Sequence, residues 1–268
     1  DNYQARVNSL SLGLDNWIHV ANGLRGGMVS NPNRPEQKLD IRGHDIRFQP
    51  DTGEFELVAG RTQHGLMRDD WDNWFGCTAT NLVMHYPIPE RYSRRNPHVA
   101  APPSVVYLPG GSQRSTLFPI ARQMERFNQP NHIDQATAAC GIGIYRDVLL
   151  GEEFLGDSFT CEPAHSLVTR VELSPQGFTF SGARAPHDRD SEFLASTSTW
   201  FTPVQSRPGP DGALWVVDLA RPVIEHPRPR SLPRPPRRAA RGRRSQERGA
   251  SRPTRGSRPR AAHRATTP

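Results

Sequence analysis

"HDIRFQPDTGEFELVAG" (His44–Gly60) decides how this chain folds. It reads as a strand, a Pro-Asp-Thr-Gly turn and a second strand. Pro presets the turn dihedral, and Gly accepts the positive φ that a reversal needs. "GPDG" (Gly209–Gly212) followed by "ALWVVDLA" repeats the turn-then-strand order. "LDNWIHVANG" (Leu14–Gly23) alternates, with Trp17, His19 and Ala21 on one face and Ile18 and Val20 on the other. Long helical periodicity is scarce. The best helical stretch, "FPIARQMERFN" (Phe118–Asn128), is short. The pattern is that of an antiparallel all-β protein.

Weak repetition narrows the class. "LDNWIHVAN" from Leu14 and "DNWFG" from Asp72 share Asp-Asn-Trp, and "GPDGALWVVD" from Gly209 has a similar order of turn and aromatic strand. Spacings of roughly 50 residues suit the blades of a β-propeller. A two-sheet sandwich with recurring turns is the alternative. The expectation is a partial, unclosed propeller of roughly four blades over residues 1–227.

Charge divides the chain. It carries 34 basic and 27 acidic side chains, a net +7. Residues 228–268 hold 14 of the basic residues, all Arg, and one acid, Glu247. The first 227 residues are therefore mildly acidic, and a nucleic-acid partner for the whole molecule is excluded. The Arg/Pro stretch has one large apolar residue, Leu232. It cannot bury a core, so a disordered tail is expected. Lys38 is the only lysine, which suits GC-rich coding DNA. Arg, Pro, Ala, Gly and Ser are what such DNA yields out of frame, and the tail is read as out-of-frame or otherwise non-native. A passive tail and a polybasic arm are the other readings. The start at Asp1, directly before a strand-like pattern, leads us to expect an absent natural N-terminus. No run of 18 apolar residues exists to cross a membrane as a helix.

The chemistry-bearing residues are scattered. There is no phosphate loop, HExxH, CxxC, CxxCH haem site or GxSxG elbow. The densest polar stretch is "GRTQHGLMRDDWDNWFG" (Gly60–Gly76). In it His64 is the candidate general base, with Asp70 beside it to fix the tautomer. Asp69 and Asp72 are candidate Ca²⁺ ligands, though their spacing is not that of an EF-hand. Trp74 can stack on a sugar ring or flat cofactor, and Arg68 lies next to it. A solvated loop with Arg–Asp pairs and a core Trp is the plainer reading. His165 is the reserve base. Arg95 and Arg146 are candidates for an anionic ligand, or else members of structural ion pairs. Cys140 and Cys161 stand equidistant from Leu150–Gly151, the centre of a hairpin connection, so their sulfurs can meet. Two free buried thiols are the alternative. Cys77 is the odd one, placed beside Trp74 and Phe75.

A run of segments carries a resemblance. "GLDNWIHVANG", "IRGHDIRFQPDTGEFELVAGRTQHGLMRDDWDNWFG", "YSRRNPHVA", "ACGIGIYRD", "GDSFTCEPAHSLVTR" and "DSEFLASTSTWFTPVQSRPGPDGALWVVDLARPVIEHP" stand in order. Together they resemble the membrane-bound dehydrogenase family of the Planctomycetes–Verrucomicrobia type, whose β-propeller is similar to the quinoprotein glucose and sorbosone dehydrogenases. The resemblance covers nearly all of residues 1–227 and stops where the Arg/Pro stretch begins. It implies a periplasmic or envelope location, which suits a Cys140–Cys161 bridge. It also implies oxidation of a sugar or related alcohol, with pyrroloquinoline quinone and Ca²⁺ as in the quinoprotein relatives. A cytochrome c module that often follows in the family would accept the electrons. Relative to that family the first blades are absent, so a fragment inactive by itself is expected. The competing reading is an extracytoplasmic propeller that binds carbohydrate or a partner protein without chemistry.

Overall fold

The computed structural model describes residues 5–222, apart from 94, 97, 110, 112 and 122–131. Residues 1–227 form one compact unit. The expected disordered tail lies outside the described residues, as does most of the expected helix at 118–128. Residues 118–121, its start, are irregular.

Three antiparallel sheets, two of four strands and one of five, follow one another along the described residues. The first is β1 (Asn8–Leu12), β2 (Ile18–Ala21), β5 (Asp45–Phe48) and β6 (Phe55–Val58), interrupted between β2 and β5 by a separate hairpin, β3 (Met28–Asn31) and β4 (Arg34–Asp40). The second is β7 (Leu66–Arg68), β8 (Trp74–Thr78), β9 (Asn81–His85) and β10 (Val106–Leu108). The third is β11 (Cys140–Ile144), β12 (Ser158–Glu162), β13 (Leu167–Gln176) and β14 (Thr179–Ala183), with the short β15 (Leu194–Ala195) also paired to β13. A two-strand sheet, β16 (Pro203–Pro208) and β17 (Leu214–Asp218), begins a fourth unit. One short helix, α1 (Glu90–Ser93), lies between β9 and β10. The first strands pack in sequence, β1 on β7, β7 on β11 and β11 on β16. Successive meanders packed through their first strands are propeller blades, and the partial-propeller expectation holds.

The opening stretch folds as read. Asp45 pairs with Val58 and Phe48 with Phe55. Gln49 N–H donates to the Glu54 carbonyl at 2.8 Å, and Gly53 supplies φ +69°. The β3–β4 hairpin was not anticipated. It packs Val29 and Leu39 on Val20, Ile41 and Ile46.

Alternation fails in the central strands. Every residue of β9 ("NLVMH") and β12 ("SFTCE") is buried. A middle strand of a blade meets neighbouring blades on both faces, so neither face is wet. Phe75, Leu82, Ile142, Ile144 and Val171 fill the space between the second and third blades. Tyr145, Phe159 and Val168, with Leu214 and Val216 against them, join the third to the fourth. Each such side chain contributes about 1.5–3 kcal/mol when removed from water. Close approach also dictates Gly76. A Cβ there would lie 2.3 Å from the Tyr86 hydroxyl and 2.5 Å from Thr62 Oγ1.

Candidate active site

In each meander the first strand runs from one end of the blade to the other. His64 immediately precedes β7 at one end, and Arg68 closes β7 at the opposite end. β7 therefore splits the polar stretch that looked continuous in sequence. With roughly 3.3 Å per strand residue, His64 and Arg68 stand about 13 Å apart along the chain.

At the first end, β7 begins tight against β11. The His64 carbonyl accepts Gly141 N–H at 2.8 Å and Cys77 Sγ–H at 3.0 Å. A Cβ on Gly65, at φ +130°, would lie 2.8 Å from the Gly141 and Ile142 nitrogens, so only Gly fits after His64. The His64 imidazole is half-buried and makes no hydrogen bond among the described residues. Burial lowers its pKa below 6.5. The ring is therefore neutral at pH 7, with a nitrogen lone pair free to take a proton.

A buried network holds the loop before His64. Asp45 accepts Asn22 N–H at 3.0 Å, Thr62 N–H at 3.0 Å and Thr62 Oγ1–H at 2.5 Å. Thr62 Oγ1 also meets the Tyr86 hydroxyl at 2.6 Å. Burial pushes Asp45 up to about 6, against the lowering effect of these donors. Asn22 Nδ2 carries the network on to the His44 carbonyl at 2.7 Å.

His165 lies in the β12–β13 turn and is 1% exposed. It faces Glu162 at 3.4 Å, with both side chains out of solvent. Burial opposes its charge, but the Glu162 hydrogen bond and charge outweigh burial and raise its pKa. Glu162 also accepts Thr137 N–H and Ala138 N–H, each at 2.7 Å. Glu162 thus ties the β12–β13 turn to the 137–138 backbone, and His165, the reserve base, is enclosed beside it. An imidazole 1% exposed reaches no substrate unless the turn moves, so His64 is the more accessible of the two candidates.

The remaining candidates sit elsewhere. Asp70 pairs with Arg146 at 2.8 Å, joining the β7–β8 and β11–β12 loops far from His64. Asp70 therefore does not orient His64. Arg68 donates to the Leu12 carbonyl at 2.9 Å and to the Asp69 carbonyl at 2.8 Å. Asp69 closes its own loop, accepting Trp71 N–H and Asn73 N–H at 2.9 Å and Asn73 Nδ2–H at 2.7 Å. Asp72 accepts Leu14 N–H at 3.3 Å. Asp69 and Asp72, the expected Ca²⁺ ligands, are thus each engaged by donors of the protein itself. Asp69 is spent on backbone donors, and among the described residues no three His, Cys, Asp or Glu converge on a metal position. Arg95 is exposed beyond α1, its backbone N–H on the Tyr92 carbonyl at 3.2 Å. Arg68, Trp74 and Arg146 belong to the end opposite His64, so they do not form a cofactor pocket around it.

Cys140 and Cys161 stand opposite each other in the β11–β12 register, as their spacing implied. Both are free thiols here, as is buried Cys77, whose thiol burial pushes up to about 12.

Sequence reasoning missed the densest side-chain cluster. His19 stacks on Trp74, with ring centroids 3.9 Å apart and 14° between planes. His19 Nε2 lies 3.3 Å from Asp15, whose carboxylate also pairs with Arg47. Arg47 Nε bonds Glu56 at 2.7 Å, and its guanidinium lies 4.6 Å from the Trp17 ring centre. The available signal was the shared strand face of Trp17 and His19, with Asp15 four residues before His19.

A family model described as Domain of unknown function (DUF7133) matches residues 1–254. The chain belongs to that family. The match runs past the compact unit into the Arg/Pro-rich stretch. A comparison with curated proteins found no match. Among solved structures, the chain is similar to the soluble aldose sugar dehydrogenase of Escherichia coli in its apo form, at 15% identity and TM-score 0.39, covering 78% of this chain and 59% of that one. It is also similar to a glucose dehydrogenase at 14% identity and TM-score 0.39, covering 81% of this chain and 60% of that one. The chain thus spans about 60% of the length of the solved structures it matches.

Proposed function

We propose that this protein is a propeller dehydrogenase that oxidises a hydroxyl of a sugar or related alcohol, with His64 as the base. The observation that carries the reading is the His64 imidazole, half-buried, neutral and without a hydrogen-bond partner among the described residues, in the loop that leads into β7. Alcohol oxidation removes a hydroxyl proton and a hydride. His64 takes the proton. Gly65 and the contacts of the His64 carbonyl to Gly141 and Cys77 hold the ring's backbone in place, and the Asp45–Thr62 network anchors the approach to it.

The resemblance supplies the other half-reaction, a quinone-type cofactor with Ca²⁺ and a cytochrome c module as electron acceptor. The residues first assigned to that cofactor do not meet at His64, so no step is drawn through it. A periplasmic or envelope location fits the facing Cys140 and Cys161, which can bridge in an oxidising compartment.

The test is dye-linked oxidation of aldoses and polyols, with pyrroloquinoline quinone and Ca²⁺ added, in a full-length family member carrying the same loop. His64→Ala should lower turnover by about 10²- to 10⁴-fold while leaving the fold intact. The acid limb of the wild-type rate profile should lie below pH 6.5, where the imidazole gains its proton. Undiminished turnover in His64→Ala would remove the base from this residue. No oxidation across the panel would favour the binding-module reading.

A further inference from the structure

A cleft of about 470 Å³ separates the first two blades, and His64 is not among its lining residues. Its size falls within the range of about 300–1,000 Å³ seen for small-molecule sites. Trp17, His19, Glu56, Asp72, Asn73 and Trp74 are among its lining residues.

Three features of the lining specify a ligand. First, Trp74 is 9% exposed, and its indole N–H is buried without a hydrogen-bond partner among the described residues. Leaving such a donor unmatched costs about 1–3 kcal/mol, so the cleft calls for an acceptor. Secondly, acceptors on the same lining are in surplus. Glu56 uses one carboxylate oxygen on Arg47, and Asp72 uses one on Leu14 N–H. Their second oxygens, and the Asn73 side-chain carbonyl, make no hydrogen bond among the described residues, so the cleft also calls for donors. Thirdly, the His19–Trp74 stack and the Asp15–Arg47–Glu56 chain fix the side chains in advance, which reduces the ordering cost of binding.

An organic cation would satisfy the carboxylates but has no lone pair for Trp74. An anion would satisfy Trp74, but the lining sets Asp15, Asp45, Glu56, Asp72 and Glu90 against Arg47 and Arg91, and Arg47 is already paired with Asp15 and Glu56. A hydroxyl both donates and accepts. We infer that the cleft between the first two blades binds a hydroxyl-rich small molecule, a sugar or related polyol. His64 does not line the site, although Asp45 and Tyr86 of the network before it do, and the inference goes beyond the dehydrogenase reading.

The test is titration calorimetry with tryptophan fluorescence on the full chain. The probes are D-glucose, D-xylose, cellobiose and inositol, with choline and acetate as the cationic and anionic comparisons. Saturable binding of at least one polyhydroxy probe is expected, with choline and acetate silent. Trp74→Phe keeps the ring and removes the N–H, and should weaken binding about tenfold. Asp72→Asn is the second variant, since Asn tolerates the φ of +65° at this position. It should weaken binding several-fold without a shift in melting temperature. Phe178→Ala, an exposed side chain between β13 and β14 that lines neither site, is the control and should bind as the wild type does. The inference is overturned if no polyhydroxy probe saturates below about 50 mM, if choline alone binds, or if both cleft variants bind unchanged. Binding lost in His64→Ala but kept in Trp74→Phe would place the sugar at His64, sinking this site while leaving the dehydrogenase reading intact.

Discussion

Replacing Asp45 by Asn should flatten one part of the pH-stability profile. Asp45 is fully buried, has no cation among its hydrogen-bond partners, and titrates at about 6 instead of 3.8. Burial is the main cause, and the Thr62 and Asn22 donors recover only part of it. A carboxyl whose folded pKa is raised binds its proton more tightly in the native state. Its favourable contribution is complete below pH 3.8 and is lost as the pH climbs through 6. A shift of about two units corresponds to about 3 kcal/mol. Wild-type stability should therefore fall relative to Asp45→Asn by about that much between pH 3.5 and pH 7. Asn keeps one acceptor for the Asn22 and Thr62 N–H groups, and its NH₂ can meet Thr62 Oγ1, which can still donate to Tyr86. Urea unfolding of both proteins across that range measures the difference curve. Parallel profiles, with a constant offset and no inflection between pH 4 and 6, would show that Asp45 is not held in the protonated form and would refute the reasoning.

Two further outcomes follow from buried geometry. Arg170 and Asp157 form a 2.6 Å ion pair with side chains 5% and 6% exposed, and Arg170 also lies 4.0 Å from the Phe154 ring centre. Arg170→Ala should cost about 3–5 kcal/mol in chemical denaturation, because it strands a buried carboxylate, and a loss below 1 kcal/mol would contradict the burial argument. Cys140 and Cys161 share a register position, so mild oxidation should link their peptides in a non-reduced digest and raise stability by about 3 kcal/mol. Linkage of Cys77 to either one instead would contradict the register.

The sequence by itself determined the class of fold and the local pieces. Pro50 to Gly53 had to reverse the chain, because Pro presets its φ and Gly accepts the positive φ of the turn whatever surrounds them. The symmetric spacing of Cys140 and Cys161 about one turn was enough to set them face to face, since antiparallel pairing is a matter of counting from the reversal. Both are short-range effects carried by the residues concerned. The inserted β3–β4 hairpin was harder to see, because its charged strand "RPEQKLD" lacks the apolar alternation that marks a strand packed in a blade.

The candidate site was legible only in part. His64 stood out as a His in a polar loop, but Asp70, Arg68 and Trp74 looked like its neighbours because sequence proximity was taken for proximity in space. Three residues of β7 undo that, since a strand delivers its two ends to opposite ends of a blade. The same strand geometry brings Trp74 onto His19, 55 residues earlier in the chain, and Asp70 onto Arg146, 76 residues later. The role of His165 depended on burial, which comes from the packing of neighbouring blades and leaves no local mark on "EPAHS". The cleft between the first two blades belongs wholly to tertiary structure. It exists because two sheets leave a gap where their side chains meet, and only their packing decides which polar atoms in that gap go without a partner.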